Sequence, residues 1–199
     1  RKKKIYKSKG IINNFISSCI FEYLNKNKIK THFLKKVSAR EQLIKRCKII
    51  PMEVVVRNYS AGSFTRRFNI KYGKKLKEPI LEFYFKSDKL NDPFMNNDHI
   101  YFLNIASEKE LKKIKNITYK INTLLKDFFN KIEIILVDFK LEFGRVDINN
   151  KKEVILADEI SPDTCRLWDV VSEKKLDKDR FRKDLGNIVQ AYQEVARRL

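Results

Sequence analysis

The stretch Val137-Asp138-Phe139-Lys140-Leu141-Glu142-Phe143 decides how the rest of this sequence is read. Apolar and charged residues alternate in it without a break. Successive side chains of a β-strand point to opposite faces, so Val137, Phe139, Leu141 and Phe143 share one face. Asp138, Lys140 and Glu142 share the other, with neighbours about 6.8 Å apart. A strand with one face in solvent accounts for that alternation by itself. The polar face, however, reads acid, base, acid, where an exposed strand more commonly carries Ser and Thr.

Downstream, Val154 to Glu159 predicts the partner strand, after a turn at Asn149-Asn150. It ends in a second acidic pair, Asp158-Glu159, and runs into the charged loop Ser161-Pro162-Asp163-Thr164-Cys165-Arg166. A hairpin that brings two carboxylates together creates a repulsion that a cation relieves, and hard oxygen ligands suit Mg²⁺. A lysine beside them suits a phosphate or a carboxylate. Upstream, Arg57 precedes the small-residue loop Asn58-Tyr59-Ser60-Ala61-Gly62-Ser63. It is either a clamp for an oxyanion or phosphate, or a surface arginine at an ordinary turn. Arg180 and Arg182 stand at a helix start, where the dipole disfavours cations, which hints at other partners for them. Together these residues point to a Mg²⁺-dependent, phosphate-handling enzyme with anionic substrates.

The remaining elements set the fold class. Ile11, Ile12, Phe15, Ile16, Cys19, Ile20, Tyr23 and Leu24 recur at helical spacing. Thr31 to Val37 reads as a strand. Leu43 to Ile50 and Met52 to Arg57 read as two strands or one bent one, with Pro51 marking a bend or an edge. Asn58 to Gly62 reads as a loop, Pro79 to Lys86 as a strand and Ser87 to Asn97 as a polar loop. Ser107 with Glu110 is a capping box that opens a long helix. Ile132 to Phe143 is a strand, and a last helix runs from about Asp179 with Phe181, Leu185, Ile188, Val189, Tyr192 and Val195 inward. Helices segregated between clusters of strands argue α+β.

Composition closes off other classes. The 199 residues are 43% apolar and 35% charged, enough for a packed core. No run approaches the roughly 18 apolar residues of a membrane helix, and no signal-peptide core follows the basic start Arg1-Lys2-Lys3-Lys4. Cys19, Cys47 and Cys165 form no CxxC pair, which fits a reducing cytoplasm. Two histidines, His32 and His99, make no zinc motif, and five glycines supply neither a Walker nor a dinucleotide loop. The net charge of +19 attracts polyanions. It is mostly lysine spread along the chain, without an arginine tract or RNP-like motif, so no nucleic-acid partner is expected.

Four stretches also carry a resemblance: Pro51 to Ser63, Val137 to Arg145, Leu156 to Asp169 and Leu176 to Arg182. In order and spacing they closely resemble phosphoribosylaminoimidazole-succinocarboxamide synthases (SAICAR synthetases) of purine biosynthesis, and the similarity runs from about Lys2 to Leu199. The resemblance implies a two-lobed α+β fold with a nucleotide cleft like that of protein kinases and ATP-grasp enzymes. Residues 1–85 would be the remainder of an N-terminal ATP-binding lobe, and residues 86–199 a C-terminal α+β lobe with the metal and substrate site. The family carries a further N-terminal strand and turn over the nucleotide phosphates. Lys4-Ile5-Tyr6-Lys7-Ser8-Lys9-Gly10 is only superficially similar to it, so that lobe is expected to be incomplete.

The implied activity is an ATP-dependent ligation of L-aspartate to the carboxylate of 5-amino-1-(5-phosphoribosyl)imidazole-4-carboxylate. It would run through an acyl phosphate and release ADP and phosphate. By resemblance, Glu142 and Asp158 would hold Mg²⁺ at the ATP phosphates, with Lys140 and Asp138 lining the same site. Arg57 and Ser63 would grip the ribotide, Arg166 and Arg182 would lie near its phosphate or carboxylate, and Lys86 and Asp92 would face it. Ile49 to Glu53 would edge the adenine pocket. A cytoplasmic homodimer is also implied. The residues leave two other readings: a basic nucleic-acid-binding module, and a kinase-like phosphotransferase acting on another small molecule.

Overall fold

A computed structural model describes Tyr6, residues 8–148 and residues 151–199 of the chain. The basic start and the turn at Asn149-Asn150 lie outside the described residues. The eight strands among them are β1 (Phe33–Lys36), β2 (Gln42–Ile44), β3 (Lys48–Tyr59), β4 (Lys75–Phe85), β5 (Phe94–Met95), β6 (Ile134–Ile148), β7 (Lys151–Ala157) and β8 (Cys165–Asp169). The α-helices are α1 (Lys9–Lys26), α2 (Ser63–Phe68), α3 (Asn97–Phe102), α4 (Glu108–Asn130), α5 (Asp179–Arg182) and α6 (Ile188–Arg198).

The main sheet is antiparallel, in the order β5-β4-β3-β6-β7, with β8 also paired to β6. It takes strands from both sides of residue 86. β1 and β2 form a separate hairpin. That hairpin is tied to the sheet where Thr31 bridges Leu156 and the His32 N–H donates to the Leu156 carbonyl at 2.8 Å.

One face of the sheet is apolar. Met52, Val54 and Val56 of β3, Phe83 of β4, and Phe139, Leu141 and Phe143 of β6 are buried in the main core. α4 packs on β6, and α1 packs on α4 and α6. The spacing predicts a buried α4 stripe of Leu111, Ile114, Ile117, Ile121, Leu124, Leu125 and Phe128; Leu111, Ile114, Ile121 and Leu125 are buried, Ile117, Leu124 and Phe128 only partly so, and Phe129 is the buried aromatic in place of Phe128. The capping box is present: Ser107 Oγ accepts from the Glu110 N–H, and Glu110 Oε2 accepts from the Ser107 N–H at 2.9 Å. Glu110 also takes both Nε (2.6 Å) and Nη2 (3.1 Å) of Arg145 on β6, which clips the helix start to the sheet. Beneath the sheet, Asn58 and Asn122 exchange amide hydrogen bonds at 2.9 and 3.0 Å, both buried, and join β3 to α4.

Several expectations need correction. Leu43 to Ile50 is not one strand: it divides at Lys45–Cys47, where β2 ends and β3 begins. β3 then continues through Pro51 as a central strand, with a register shift against β6 between Ile49 and Glu53 that marks the expected irregularity. Pro51 faces the end of β4, just beyond the Met52–Phe85 pair, where its carbonyl accepts from the Lys86 N–H at 3.1 Å. The Asn58 to Gly62 loop is shorter than expected, because β3 extends to Tyr59. The polar loop at residues 87–97 contains β5, and the charged loop ending at Arg166 already contains the start of β8. The last helix is broken in two. Asp184, Gly186 and Asn187 have positive φ, so the helical period is interrupted and Leu185, 46% exposed, lies outside the core.

Asn122→Ala should lower the unfolding free energy by about 1–3 kcal/mol, because it leaves the buried Asn58 amide half-satisfied. The check is a shifted denaturation midpoint with an unchanged slope. The Arg145 hydrogen bonds first, and the Ser107 N–H after burial's opposing effect, hold the Glu110 carboxyl at about 2, below its ordinary 4.5. Its contribution is therefore complete above pH 4.5 and is lost as pH falls towards 2. The stability advantage of the wild type over Glu110→Gln should shrink across that window in acid-denaturation curves.

Candidate active site

The opposite face of the sheet is polar, and register explains its order. Glu53 stands across from Glu142, Val55 from Lys140 and Arg57 from Asp138. On the β4 side, Tyr84 pairs with Glu53 and Glu82 with Val55. On the far side, Arg166 of β8 pairs with Asp138. Residues directly opposite in such a ladder lie within side-chain contact. This face is the floor of a cleft of about 1110 Å³, closed by residues 88–92, the Asp158 to Arg166 turn and the segment 177–182.

At one end lies the acid–base–acid cluster. The second edge of β6 is shared: β7 pairs with it up to Glu142 and β8 up to Phe139. Between those limits the chain leaves the sheet at Asp158 and returns at Cys165, and the Lys140 N–H donates to the Thr164 carbonyl at 2.9 Å. Asp158 turns out of the strand with φ 62°, a conformation a non-glycine residue adopts at a cost. The exit thus sets Asp158 beside Lys140 and Glu142.

Lys140 Nζ lies 2.6 Å from Glu142, 3.0 Å from Glu53 and 3.6 Å from Asp158. Lys86 also pairs with Glu142. Burial works against the Lys140 charge, yet Glu142 and Glu53 raise its pKa. Burial likewise opposes the Glu142 charge, but hydrogen bonds from Lys140 and Lys86 hold its pKa below the ordinary range. Asp158 shifts upward, through burial first and the Glu142 charge second. The two carboxylates repel each other and the lysines only partly offset them. A hard cation suits that donor pair. Among the described residues no group of three or more His, Cys, Asp or Glu is placed to hold a metal by itself. Mg²⁺ takes one or two protein carboxylates and completes its shell with phosphate oxygens and water, so the pair fits that ion.

At the other end lies an arginine cluster. Asp138, 3% exposed, accepts from Arg57 Nη1 at 3.0 Å and from Arg166 Nη1 at 3.0 and 2.8 Å. Burial pushes its carboxyl up while the Arg166 and Arg57 charges pull it back. Arg166 Nε is held by Asp179 at 3.0 Å. Gly62, with φ 62°, lies against this guanidinium: a Cβ there would come within 2.6 Å of Arg166 Nη2. Asp177 is fully buried and accepts from the Leu167 and Asp179 N–H groups at 2.8 and 2.7 Å. Burial first and the neighbouring Asp179 charge push its carboxyl up to about 7, against those two hydrogen bonds and Arg166. Arg182 is half-exposed on the cleft wall, 3.4 Å from Asp179. Arg180 instead donates to the carbonyls of Gly186, Lys175 and Leu185 and secures the break before α6.

The cleft thus gathers Arg57, Ser63, Lys86, Asp92, Asp138, Lys140, Asp158, Arg166, Arg182 and Glu53 in its walls. Glu142, 2% exposed, lies just beneath Lys86 and Lys140. Ile49 lies elsewhere, on a second cleft of about 700 Å³ between α1, the β1–β2 hairpin and the start of β3. The clefts meet at Asp158 and Glu159, which line both. Asn13 Oδ1, Ser17 Oγ and His32 Nδ1, buried atoms without a hydrogen-bond partner among the described residues, belong to residues lining the second cleft. Sequence reading missed Glu82, Tyr84 and Asp177. For the first two the signal was there: Leu81, Phe83 and Phe85 alternate with them as Phe139 and Leu141 do with Lys140.

The sequence model of the family described as SAICAR synthetase matches residues 1–199. Over 198 residues the chain is 55% identical to a phosphoribosylaminoimidazole-succinocarboxamide synthase of Wolbachia pipientis subsp. Culex pipiens, covering 100% of this chain and 82% of the relative. The crystal structure of the Ehrlichia chaffeensis synthase superposes with a TM-score of 0.97 at 49% identity, over 100% of this chain and 84% of that one. A SAICAR synthetase in complex with ADP superposes with a TM-score of 0.94 at 46% identity, over 99% of this chain and 83% of that one. Fold and sequence agree, and the chain belongs to the SAICAR synthetase family.

Proposed function

We propose that the chain is an ATP-dependent ligase that joins L-aspartate to the carboxylate of 5-amino-1-(5-phosphoribosyl)imidazole-4-carboxylate, giving SAICAR, ADP and phosphate. The observation that carries this reading is the meeting of two clefts at Asp158 and Glu159. A nucleotide in one cleft and an anionic acceptor in the other would bring γ-phosphate and carboxylate together there.

The adenine end is assigned to the second cleft, edged by Ile49, where the unpartnered atoms of Asn13, Ser17 and His32 leave polar capacity for a ligand. Glu53 faces Lys140 at the phosphate end rather than the adenine. A carboxylate is a poor electrophile, so ATP first converts it to an acyl phosphate, which the aspartate amine then attacks. Such transfer depends on in-line positioning and on neutralising spread negative charge.

The residues share that work. Lys140 and Lys86 sit beside Glu142 and offset the charge of incoming phosphate. Glu142 and Asp158 would hold Mg²⁺, which when bound screens the phosphate oxygens and polarises the transferred group. Arg57, Ser63 and Arg166 receive the anionic ribotide at the opposite end, with Arg182, Lys86 and Asp92 on the walls. Asp138 positions the two arginines rather than reacting, because Arg57 and Arg166 hold both its oxygens. The same reading takes the chain as a cytoplasmic homodimer acting on small molecules, without nucleic acid.

ADP release with ATP and Mg²⁺ should require the ribotide, and SAICAR should form only when L-aspartate is also present. Release indifferent to the ribotide would refute the reading. Glu142→Gln and Asp158→Asn should each lower Mg²⁺-dependent turnover by about a hundredfold or more while circular dichroism shows the fold retained. Turnover near that of the wild type would sink the metal assignment alone.

A further inference from the structure

We propose that Glu82, a residue outside the four family-like stretches, is a positioning residue for the ribotide end of the cleft. On this assignment it holds Arg57 and the Tyr84 hydroxyl so that both present one fixed edge to the substrate anion. The assignment rests on the functional reading above and deepens it.

Glu82 is 4% exposed and points to the cleft face of β4, opposite Val55. One carboxylate oxygen accepts from Arg57 Nε at 2.7 Å and from the Tyr84 hydroxyl at 2.8 Å. The other accepts from Arg67 Nη2, on α2. A carboxylate buried to this degree is costly unless all its partners are in place. Here they are supplied by three residues that share no other acceptor as close.

The five N–H groups of Arg57 show what this hold accomplishes. Nε goes to Glu82. Nη1 goes to Asp138 at 3.0 Å and to the Ala61 carbonyl at 3.3 Å. Nη2 goes to Ser63 Oγ at 3.4 Å and to the Tyr84 hydroxyl at 3.5 Å. The contacts to carboxylates are short, and both contacts of Nη2 lie at the limit of hydrogen-bonding distance. Ser63 and Tyr84 line the cleft. The guanidinium is a planar fork, so fixing Nε and Nη1 also fixes where Nη2 points. Nη2 is therefore the edge that an anion can take over at least cost, and Glu82 is the partner on Nε that turns it to the cleft. By accepting the Tyr84 proton, Glu82 also leaves the lone pairs of that hydroxyl facing Arg57. Burial first, and Glu82 second, raise the Tyr84 pKa, so the hydroxyl keeps its proton for this bond.

The charge balance makes the role testable against a purely electrostatic one. Arg57, Arg67 and Arg166 are matched by Glu82, Asp138 and Asp179. Removing the Glu82 charge leaves the cleft more positive, which by charge alone would tighten binding of an anionic ribotide. An amide in place of the carboxylate has one acceptor oxygen for Arg57, Tyr84 and Arg67 and turns an NH2 against one of the guanidinium groups, which loosens the fork and weakens binding. The two effects have opposite signs.

The test measures KM for the ribotide and for ATP, kcat and the melting temperature in wild type, Glu82→Gln and Glu82→Asp. The Asp variant keeps the charge and withdraws the carboxylate by one methylene. Expected is a ribotide KM raised about tenfold or more in Glu82→Gln and by a smaller factor in Glu82→Asp, with ATP KM within about twofold of wild type. An unchanged or lowered ribotide KM in either folded variant overturns the assignment. So does a parallel rise in both KM values with a collapsed melting temperature, since that is general loss of structure. Failure of the wild type to need the ribotide at all refutes the functional reading itself, and the assignment with it.

Discussion

The molecule depends on one constraint: a sheet face that carries many charges is withdrawn from bulk water and must neutralise itself. Across β3, β6 and β8 the row Arg57–Asp138–Arg166 does so at the centre. Glu82 and Asp179 extend it on either side. A buried charge without a partner costs several kcal/mol, so each of these side chains has only one tolerable arrangement. The same requirement that makes the face expensive makes it rigid. A rigid array of donors suits a multiply charged anion, since no reorganisation is then left for the moment of binding.

The second determinant is the divided edge of β6. A strand of 15 residues is longer than either partner on that edge, and the gap between β7 and β8 falls opposite Lys140 and Leu141. The loop thrown out there brings Asp158 and Glu159 to the boundary of the two clefts. It is anchored from behind through Asp163, which accepts from Lys9 and Asn13 of α1 and from the Tyr192 hydroxyl of α6 at 2.7 Å. The helical layer thus does more than cover the apolar face. It holds in place the turn from which the proposed metal ligand Asp158 projects, so the packing of α1 against α6 and the geometry of the cleft mouth are coupled.

The two ends of the cleft solve the charge problem differently. The arginine end sets more than one cation against each of Glu82, Asp138 and Asp179 and presents a directional edge. The lysine end gathers three carboxylates, Glu53, Glu142 and Asp158, around two ammonium groups, with Asp158 shifted upward by burial first and by the Glu142 charge second. On the proposed reading, that end is where cations and phosphate exchange. The exposed side-chain portions of Lys86 (43%) and Lys140 (25%) fit that use, because long ammonium side chains can follow a ligand where a buried guanidinium cannot.

What the sequence determined by itself was local and periodic. The alternation from Val137 to Phe143 and the Ser107–Glu110 cap formed as read, and the helical stripe starting at Leu111 formed in the main, with Phe129 buried in place of Phe128, because strand and helix periods are set by the backbone. Residue chemistry at Asp138, Lys140, Glu142 and Asp158 singled out residues that the structure gathers in and just beneath one cleft. Tertiary structure alone decided that the polar face is the floor of a cleft and not a solvated surface, and that Asp138 is saturated by two arginines. It also decided that Ile49 belongs to a different cleft from Arg57, and that Glu82 joins the site at all. Those outcomes depend on register between strands distant in sequence. Residues 57, 82, 138 and 166 meet because antiparallel pairing sets them side by side, and burial then forces them to pair. No local window of sequence contains that information.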